Sequence, residues 1–174
     1  MTGEQLEYVV TYLEMTAPPS GPLKPAPMGA PLALMRVEQP KAHFFLYLYG
    51  TIGAAYEWTD KLREPASDVR AFVEDPKVEL TVLYRGGAPA GFFQLDFREE
   101  GVCDLAYFGL MPEAVGQGLG GWLLSEAIRE AWSRGIGKMT VNTNTLDHPA
   151  ALSNYQKAGF SPVRREAHTR TAAK

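Results

Sequence analysis

The stretch LAYFGLMPEAVGQGLGGWLLSEAIREAWSRG, Leu105–Gly135, predicts a strand, a tight glycine-rich turn and a long helix. Leu105–Met111 is apolar and aromatic, as buried strands are, and Pro112 ends it. Beyond the turn, apolar residues follow the spacing of a helix with one buried face. They are Leu123, Leu124, Ala127, Ile128, Ala131 and Trp132. Gly135 ends the helix.

The turn between Gly116 and Gly121 holds four glycines in six residues. Glycine permits positive φ angles and lets a ligand approach the backbone closely. The first amides of a helix have no partner within the helix and lie at the positive end of its dipole. A phosphate can bind there without a basic side chain. The alternative is that the glycines serve only a tight turn and close helix packing.

Two other phosphate-binding motifs fit this turn poorly. A P-loop needs a Lys and a Ser or Thr after its last glycine, where this chain has Gly121 and Trp122. A Rossmann turn follows the first strand of a domain, whereas this turn lies two-thirds of the way along the chain, with room for only one further strand–helix unit. We therefore expect neither an NTPase nor a dinucleotide-binding domain.

Two motifs together resemble the GCN5-related N-acetyltransferase (GNAT) superfamily. Val115–Gly120 matches Gln/Arg-x-x-Gly-x-Gly/Ala except at Val115. The second motif, Asn-x-x-Ala-x-x-x-Tyr-x-x-x-Gly-Phe, is matched by His148, Ala151, Tyr155, Gly159 and Phe160, with His148 in place of Asn. The resemblance extends roughly from residue 78 to residue 163. It implies an α/β fold with a mixed, mostly antiparallel sheet of about seven strands, about four helices and splayed central strands.

This resemblance implies a site for acetyl-CoA, the acyl donor of the family. The backbone at Gly116, Gln117, Gly118, Gly120 and Gly121 would bind the pyrophosphate. The strand edge at Gly109, Leu110 and Met111 would pair with the pantetheine arm, as an added strand would. His148 would either hydrogen-bond the arm or serve only as a helix cap.

The resemblance also implies catalytic residues. Tyr155 occupies the position of the acid that protonates the leaving thiolate, and a phenol with a pKa of about 10 can donate as charge develops. The alternative is an ordinary half-buried tyrosine. Asp104 falls where the histone-acetylating branch has its glutamate base, and burial would raise its pKa. A structural carboxylate, one that binds the acceptor's ammonium, or a water chain as base are the alternatives, and Asp96 and Glu57 are weaker candidates.

The amine acceptor is expected to bind near the aromatic segment Lys41–Tyr49, KAHFFLYLY, because acceptors in this family usually enter over the first helices. The segment predicts a helix, but it is more apolar than one buried face requires. Core packing with a dimer surface is the alternative explanation of this excess. Tyr47 and Trp58 are the candidate acceptor-binding residues.

The remaining elements follow from periodicity and turn signals within one domain, residues 1–174. Further strands are predicted at Glu7–Met15, Leu32–Glu38, Val78–Tyr84, Ala90–Phe97, Val102–Met111, Lys138–Thr143 and Phe160–Arg165. Ser67 is expected to cap a short helix ending at Asp75, and Asp147 or His148 the last helix. Residues 17–31 contain six prolines and predict an extended loop, or a segment recognised by a proline-binding partner. Residues 168–174 are expected to form a frayed, flexible polar tail.

Composition limits the function classes. The 174 residues carry a formal net charge of −3, which argues against a nucleic-acid partner. Cys103 is the only cysteine, which excludes internal disulfides and favours a reducing cytoplasm; we expect it to be a small buried hydrophobe. Neither a membrane span nor a signal peptide is evident. The three histidines are scattered, so no metal site is expected.

Three functions compete. The first is an N-acetyltransferase that transfers an acetyl group from acetyl-CoA to the amine of a small molecule, amino acid or peptide. The second is a non-catalytic CoA-binding or sensing module, which would keep the glycine turn but could dispense with an acid at Tyr155. The third is an interaction protein that uses the proline-rich loop and the aromatic helix. A homodimer is expected only by analogy with the family.

Overall fold

A computed structural model describes residues 4–172 of the chain, which form a seven-stranded sheet with five α-helices. The strands are β1 Gln5–Met15, β2 Leu32–Arg36, β3 Val78–Arg85, β4 Ala88–Asp96, β5 Val102–Leu110, β6 Lys138–Asn144 and β7 Ser161–Thr171. Their order in the sheet is β2-β3-β4-β5-β6-β1-β7. The printed pairings are antiparallel except that between β5 and β6. The predicted mixed, mostly antiparallel α/β sheet is confirmed.

The helices are α1 Ala42–Gly53, α2 Asp60–Arg63, α3 Ala66–Val73, α4 Leu119–Trp132 and α5 Ala151–Lys157. The predicted caps are wrong. Ser67 lies inside α3, whose N-cap is Pro65, because the fixed φ of that proline already starts the helix. The N-cap of α5 is Ala150, and no side chain caps that helix.

The two faces of the sheet carry different helices. Phe45 of α1 makes an edge-to-face contact with Phe92 of β4, with ring centroids 6.3 Å apart. The neighbouring residue, Gly91, points to the opposite face, where a Cβ atom would lie 3.2 Å from Leu123 of α4. The sheet is therefore covered by α1 on one face and α4 on the other, with a buried apolar layer on both sides.

Strand β1 lies between β6 and β7 and pairs with both in antiparallel fashion. Leu13, for example, pairs with Val141 of β6 on one side and with Pro162 of β7 on the other. The predicted frayed tail is wrong for residues 168–171, since β7 continues to Thr171, which pairs with Gln5. The length of β1 provides partners for β7 from Ser161 to Thr171, with one irregularity that leaves Val163 unpaired. Residues 173 and 174 lie outside the described residues.

The parallel pairing of β5 with β6 is short. It comprises Val102 with Lys138, Cys103 with Met139 and Asp104 with Thr140. Beyond this point β5 stays paired with β4 and β6 stays paired with β1, so the two strands diverge. A bulge in β5 leaves Ala106 without a partner on β4, because Gln94 pairs with Tyr107 and Leu95 pairs with Leu105. The predicted splayed central strands are confirmed.

Gly91→Ala should destabilise the fold, because the new methyl group would lie 2.8 Å from the carbonyl oxygen of Gly109. We expect a loss of about 1–3 kcal/mol in the free energy of unfolding, as in other overpacked cores. Gly50→Ala is the matched control. Its methyl group would meet only Leu62 Cδ2, at 3.9 Å within α1, so stability should rise by about 0.5–1 kcal/mol. Urea unfolding checks both values, and equal stabilities of the two variants would contradict this packing.

Candidate active site

The divergence of β5 from β6 opens a cavity of about 430 Å³. It is lined by β5, the glycine turn, the start of α4, the end of β6, α5 and the segment between α1 and α2. Its lining includes these predicted site residues: Trp58, Gly109, Leu110, Gly116, Gly120, Gly121, His148 and Tyr155. The fold therefore brings most of the predicted residues to one place.

The glycine turn adopts the backbone that its sequence predicts. Gly116 and Gly118 have φ angles of 78° and 76°, which favour glycine. Gly118 is the N-cap of α4, so the outward-pointing amides of the first helical turn follow it directly. Among the described residues, the amides of 116–118 form no loop or turn hydrogen bond. Gln117 does not line the cavity, and its side-chain amide donates to the Glu113 carbonyl at 2.8 Å.

The edge of β5 that faces the cavity carries two of its three predicted binding residues. Gly109 and Leu110 line the cavity. Gly109 is required by packing, since a Cβ atom there would lie 2.5 Å from Cγ2 of Ile52. Met111 does not line the cavity. Its side chain is buried in the core and its amide donates to the Ala90 carbonyl at 2.8 Å, so that amide is not available to a ligand.

Tyr155 lies on α5 and is buried at the wall of the cavity. Its ring makes edge-to-face contacts with Phe108 and Phe160, with centroids 6.4 Å and 6.0 Å away. Burial raises the pKa of the Tyr155 phenol, and the nearby charges of Asp147 and Asp104 raise it further. The phenol therefore holds its proton over the physiological pH range, as a proton donor must.

His148 also lines the cavity. Its Nδ1 accepts a hydrogen bond from the Ala150 amide at 3.1 Å. Since Nδ1 is an acceptor, the ring proton of the neutral form lies on Nε2. The imidazole is 6.2 Å from the Tyr56 ring between centroids. His148 orders the approach to α5 without capping that helix, and Nε2 remains a donor.

Asp147 is a cavity residue that the sequence suggested only as a helix cap. One carboxylate oxygen accepts hydrogen bonds from the Thr143 hydroxyl at 2.7 Å and the Asn144 amide at 2.9 Å. The other accepts from the indole nitrogen of Trp58 at 3.0 Å. Asp147 thus ties the end of β6 to the segment between α1 and α2.

Aromatic residues form one wall of the cavity. Trp58 lies 5.5 Å from Tyr49, 6.4 Å from Tyr56 and 5.9 Å from Tyr107 between ring centroids. Of the two candidate acceptor-binding residues, Trp58 belongs to this wall and Tyr47 does not. Tyr47 is half exposed and does not line the cavity, because helical spacing points Tyr49, not Tyr47, towards the sheet.

Arg170 of β7 reaches this wall from the last strand. Its guanidinium donates to the Glu57 carbonyl and, at 3.3 Å, to the Tyr8 hydroxyl. Glu57 has a φ angle of 58°, unusual for a residue other than glycine. Arg170 therefore holds the strained backbone next to Trp58. Arg170 falls within residues 168–174, for which the sequence predicts a flexible tail, so no local pattern indicates that it is a site residue.

Asp104 does not line the cavity. Its carboxylate accepts a hydrogen bond from the Thr140 hydroxyl at 2.6 Å, at the last paired position of β5 and β6. Burial raises the pKa of Asp104. Asp96 behaves differently: burial raises its pKa, but the hydrogen bonds and charge of Arg98 outweigh burial and hold it below its ordinary value. This placement favours the structural alternative for Asp104.

Cys103 is fully buried, and burial raises the pKa of its thiol, so it is a poor nucleophile. Among residues 4–172, no cluster of three or more His, Cys, Asp or Glu side chains is arranged to hold a metal ion. Within the same residues, each helix is too short or too polar to cross a membrane.

Comparison with known families identifies the family of this chain. The Acetyltransferase (GNAT) family matches residues 38–160, more than half of the chain. The chain belongs to the GNAT family. The matched range includes the glycine turn, Trp58, His148 and Tyr155, so nearly all residues that line the cavity lie within it. Strands β1, β2 and β7 and the proline-rich segment lie wholly outside it.

Solved structures share the fold at low sequence identity. A GCN5-related N-acetyltransferase from Sphaerobacter thermophilus is 15% identical, with a TM-score of 0.63 over 94% of this chain and 51% of that one. One from Kribbella flavida is 18% identical, with a TM-score of 0.60 over 92% and 56%. The chain therefore spans little more than half of either relative. An IAA acetyltransferase from Bacillus cereus is 20% identical, with a TM-score of 0.56 over 75% and 77%. No curated protein matches the chain by sequence.

Asp104→Asn should reduce the pH dependence of stability. The raised pKa means that the folded state binds this proton more readily than the unfolded state, whose pKa is about 3.9. The free energy of unfolding of the wild type therefore falls as pH rises through the pKa of folded Asp104. The asparagine carbonyl can still accept from Thr140, so the variant should lose this fall and be at least as stable at neutral pH.

Asp96→Asn is the control, because its effect on stability at neutral pH should have the opposite sign. The pKa of Asp96 is lowered, so its ionised form stabilises the fold above the unfolded pKa, and the variant should be less stable at neutral pH. Urea unfolding between about pH 4 and pH 7 checks both variants. An unchanged pH dependence in Asp104→Asn would show that this carboxyl titrates normally.

Proposed function

We propose that this GNAT protein is an acetyl-CoA-dependent N-acetyltransferase, with the amine of a small molecule, amino acid or peptide as acceptor. One observation carries the proposal. The slot between β5 and β6 joins the glycine turn, which can bind a diphosphate, to a buried tyrosine, which can protonate a thiolate. An extended thioester with a diphosphate at one end fits this arrangement.

The donor would bind through backbone groups. The pyrophosphate would accept hydrogen bonds from the amides of the glycine turn and the first turn of α4. The amides of the pantetheine arm would pair with the edge of residues 105–110, which β6 leaves unpaired. Nε2 of His148 can donate to the arm, which retains a binding role for the position where the family has Asn.

In the reaction, the neutral acceptor amine attacks the carbonyl carbon of the thioester, forming a C–N bond as the C–S bond breaks. Tyr155 would give its proton to the departing sulfur, and its raised pKa keeps that proton available until charge develops there. The nitrogen loses one proton to the medium, and the medium returns one to the Tyr155 phenolate. Asp104 lies outside the cavity, so we expect water to carry this proton away.

The acceptor would enter beside the aromatic wall formed by Tyr49, Tyr56 and Trp58. Asp60 and Asp147 also line the cavity; Asp60 pairs with Arg170 at 3.4 Å, so Asp147 is the carboxylate that would attract an ammonium group. Two structural neighbours are named for the small molecules they acetylate. They are the IAA acetyltransferase and an aminoglycoside acetyltransferase solved with sisomicin, with TM-scores of 0.56 and 0.58. They support a small amine acceptor here. A homodimer and a cytoplasmic location stay predictions.

Calorimetric titration with acetyl-CoA and with CoA tests the proposal first. Gly120→Phe should abolish binding by filling the slot beside Leu110, and Gly120→Ala should retain it, since its methyl group would lie 3.6 Å from Leu110 Cδ1. Thiol release with a panel of amines then tests transfer. Absence of binding in the wild type would refute the proposal. Binding without transfer to any amine would favour the non-catalytic CoA-binding module.

Tyr155→Phe should lower turnover by about a hundredfold or more while leaving acetyl-CoA affinity within a factor of about two. Phe retains the edge-to-face contacts with Phe108 and Phe160 but cannot donate a proton. The matched control is Tyr47→Phe, which lies outside the cavity and should leave turnover unchanged. Steady-state thiol release and calorimetry give the two quantities. Equal turnover in Tyr155→Phe and the wild type would show that Tyr155 is not the general acid.

A further inference from the structure

The proline-rich segment, residues 16–31, contains a single ionisable side chain, Lys24. Its ammonium lies at the glycine turn, since a methyl group placed on Gly121 would be 3.2 Å from Nζ. Gly121 lines the cavity and belongs to the first turn of α4. A segment from outside the range matched to the family thus brings a positive charge to the proposed cofactor site.

This position is unfavourable for a cation in the absence of a ligand. The N-terminal end of a helix attracts anions and repels cations. Lys24 is exposed and, within residues 4–172, forms no hydrogen bond or ion pair that would offset this repulsion. An anion held between the ammonium and the turn would be attracted by both.

The path of the segment explains why Lys24 reaches the turn. Its start is fixed at the C-terminal end of α4, where Trp132 Nε1 donates to Met15 Sδ at 3.3 Å. Its end is fixed at the β3–β4 hairpin, where the Pro31 carbonyl accepts from the Gly86 amide at 2.8 Å. Between these points the chain passes the N-terminal end of α4. Pro25 restricts the backbone of Lys24 to extended conformations.

We propose that Lys24 is a binding residue for the pyrophosphate of the cofactor. This inference rests on the proposed acetyl-CoA site. Among the described residues that line the cavity, Arg170 is the only Lys or Arg, and its guanidinium is held by Glu57 and Tyr8. The amides of the turn carry only partial charges. Lys24 adds a full positive charge beside them, which strengthens hydrogen bonding to a phosphate.

The test compares three ligands by calorimetry at low salt. CoA carries the pyrophosphate and the 3′-phosphate, 3′-dephospho-CoA keeps only the pyrophosphate, and pantetheine carries no phosphate. Lys24→Gln should weaken the binding of CoA and of 3′-dephospho-CoA by the same factor, about tenfold, and leave pantetheine unchanged. The difference should shrink as salt rises. Lys24→Arg should keep the affinity of the wild type, and Lys41→Gln, another exposed lysine, is the control for net charge.

Unchanged affinity for all three ligands in Lys24→Gln would overturn the inference while leaving the acetyl-CoA site intact. A loss confined to CoA would move the contact to the 3′-phosphate and overturn the pyrophosphate assignment. A wild type that binds no CoA would refute the proposed function itself, and the inference with it. Because Lys24 is exposed, its variants should unfold at the same urea concentration as the wild type, so a binding loss cannot come from misfolding.

Discussion

The site depends on where the parallel pairing of β5 and β6 stops. After Asp104 and Thr140, each strand keeps its other neighbour, so neither is free to follow the other. This leaves the backbone groups of residues 105–110 on that edge without a strand partner. Backbone polar groups in a protein interior need partners, and an extended ligand with amides of its own can supply them. The cavity is thus a place where the sheet lacks one strand.

The last pair before the divergence is reinforced by side chains. The Asp104 carboxylate accepts from the Thr140 hydroxyl across the two strands at 2.6 Å. Above it, Asp147 fixes the end of β6 and at the same time holds the indole of Trp58. One carboxylate therefore marks the base of the slot and the other fixes its upper rim. Asp104 therefore helps to fix the shape of the slot. This structural role accounts for a carboxylate in an otherwise apolar strand.

The sequence predicts the residues at the proposed cofactor side of the cavity better than those at the proposed acceptor side, for a physical reason. Gly116, Gly118 and Tyr155 depend on local backbone geometry and on a fixed spacing along one strand–turn–helix unit. The acceptor wall instead depends on contacts between distant segments, such as Trp58 with Asp147 and Arg170 with Glu57. No periodicity encodes such contacts. The orientation of α1 about its axis likewise determines that Tyr49, and not Tyr47, faces the cavity. Composition alone does not predict that orientation.

Local sequence patterns do not reveal where β1 lies in the sheet, and this position determines the path of the proline-rich segment. The strand pattern of residues 5–15 predicts a strand but not that four other strands separate it from β2, the next element. The chain must therefore cross about 24 Å of sheet, given a strand spacing of about 4.8 Å, between Met15 and Leu32. Prolines suit such a crossing because they keep the chain extended without hydrogen bonds and reduce the entropy lost on ordering it. The crossing passes the end of α4, so the topology itself brings the only charged residue of the segment to the glycine turn.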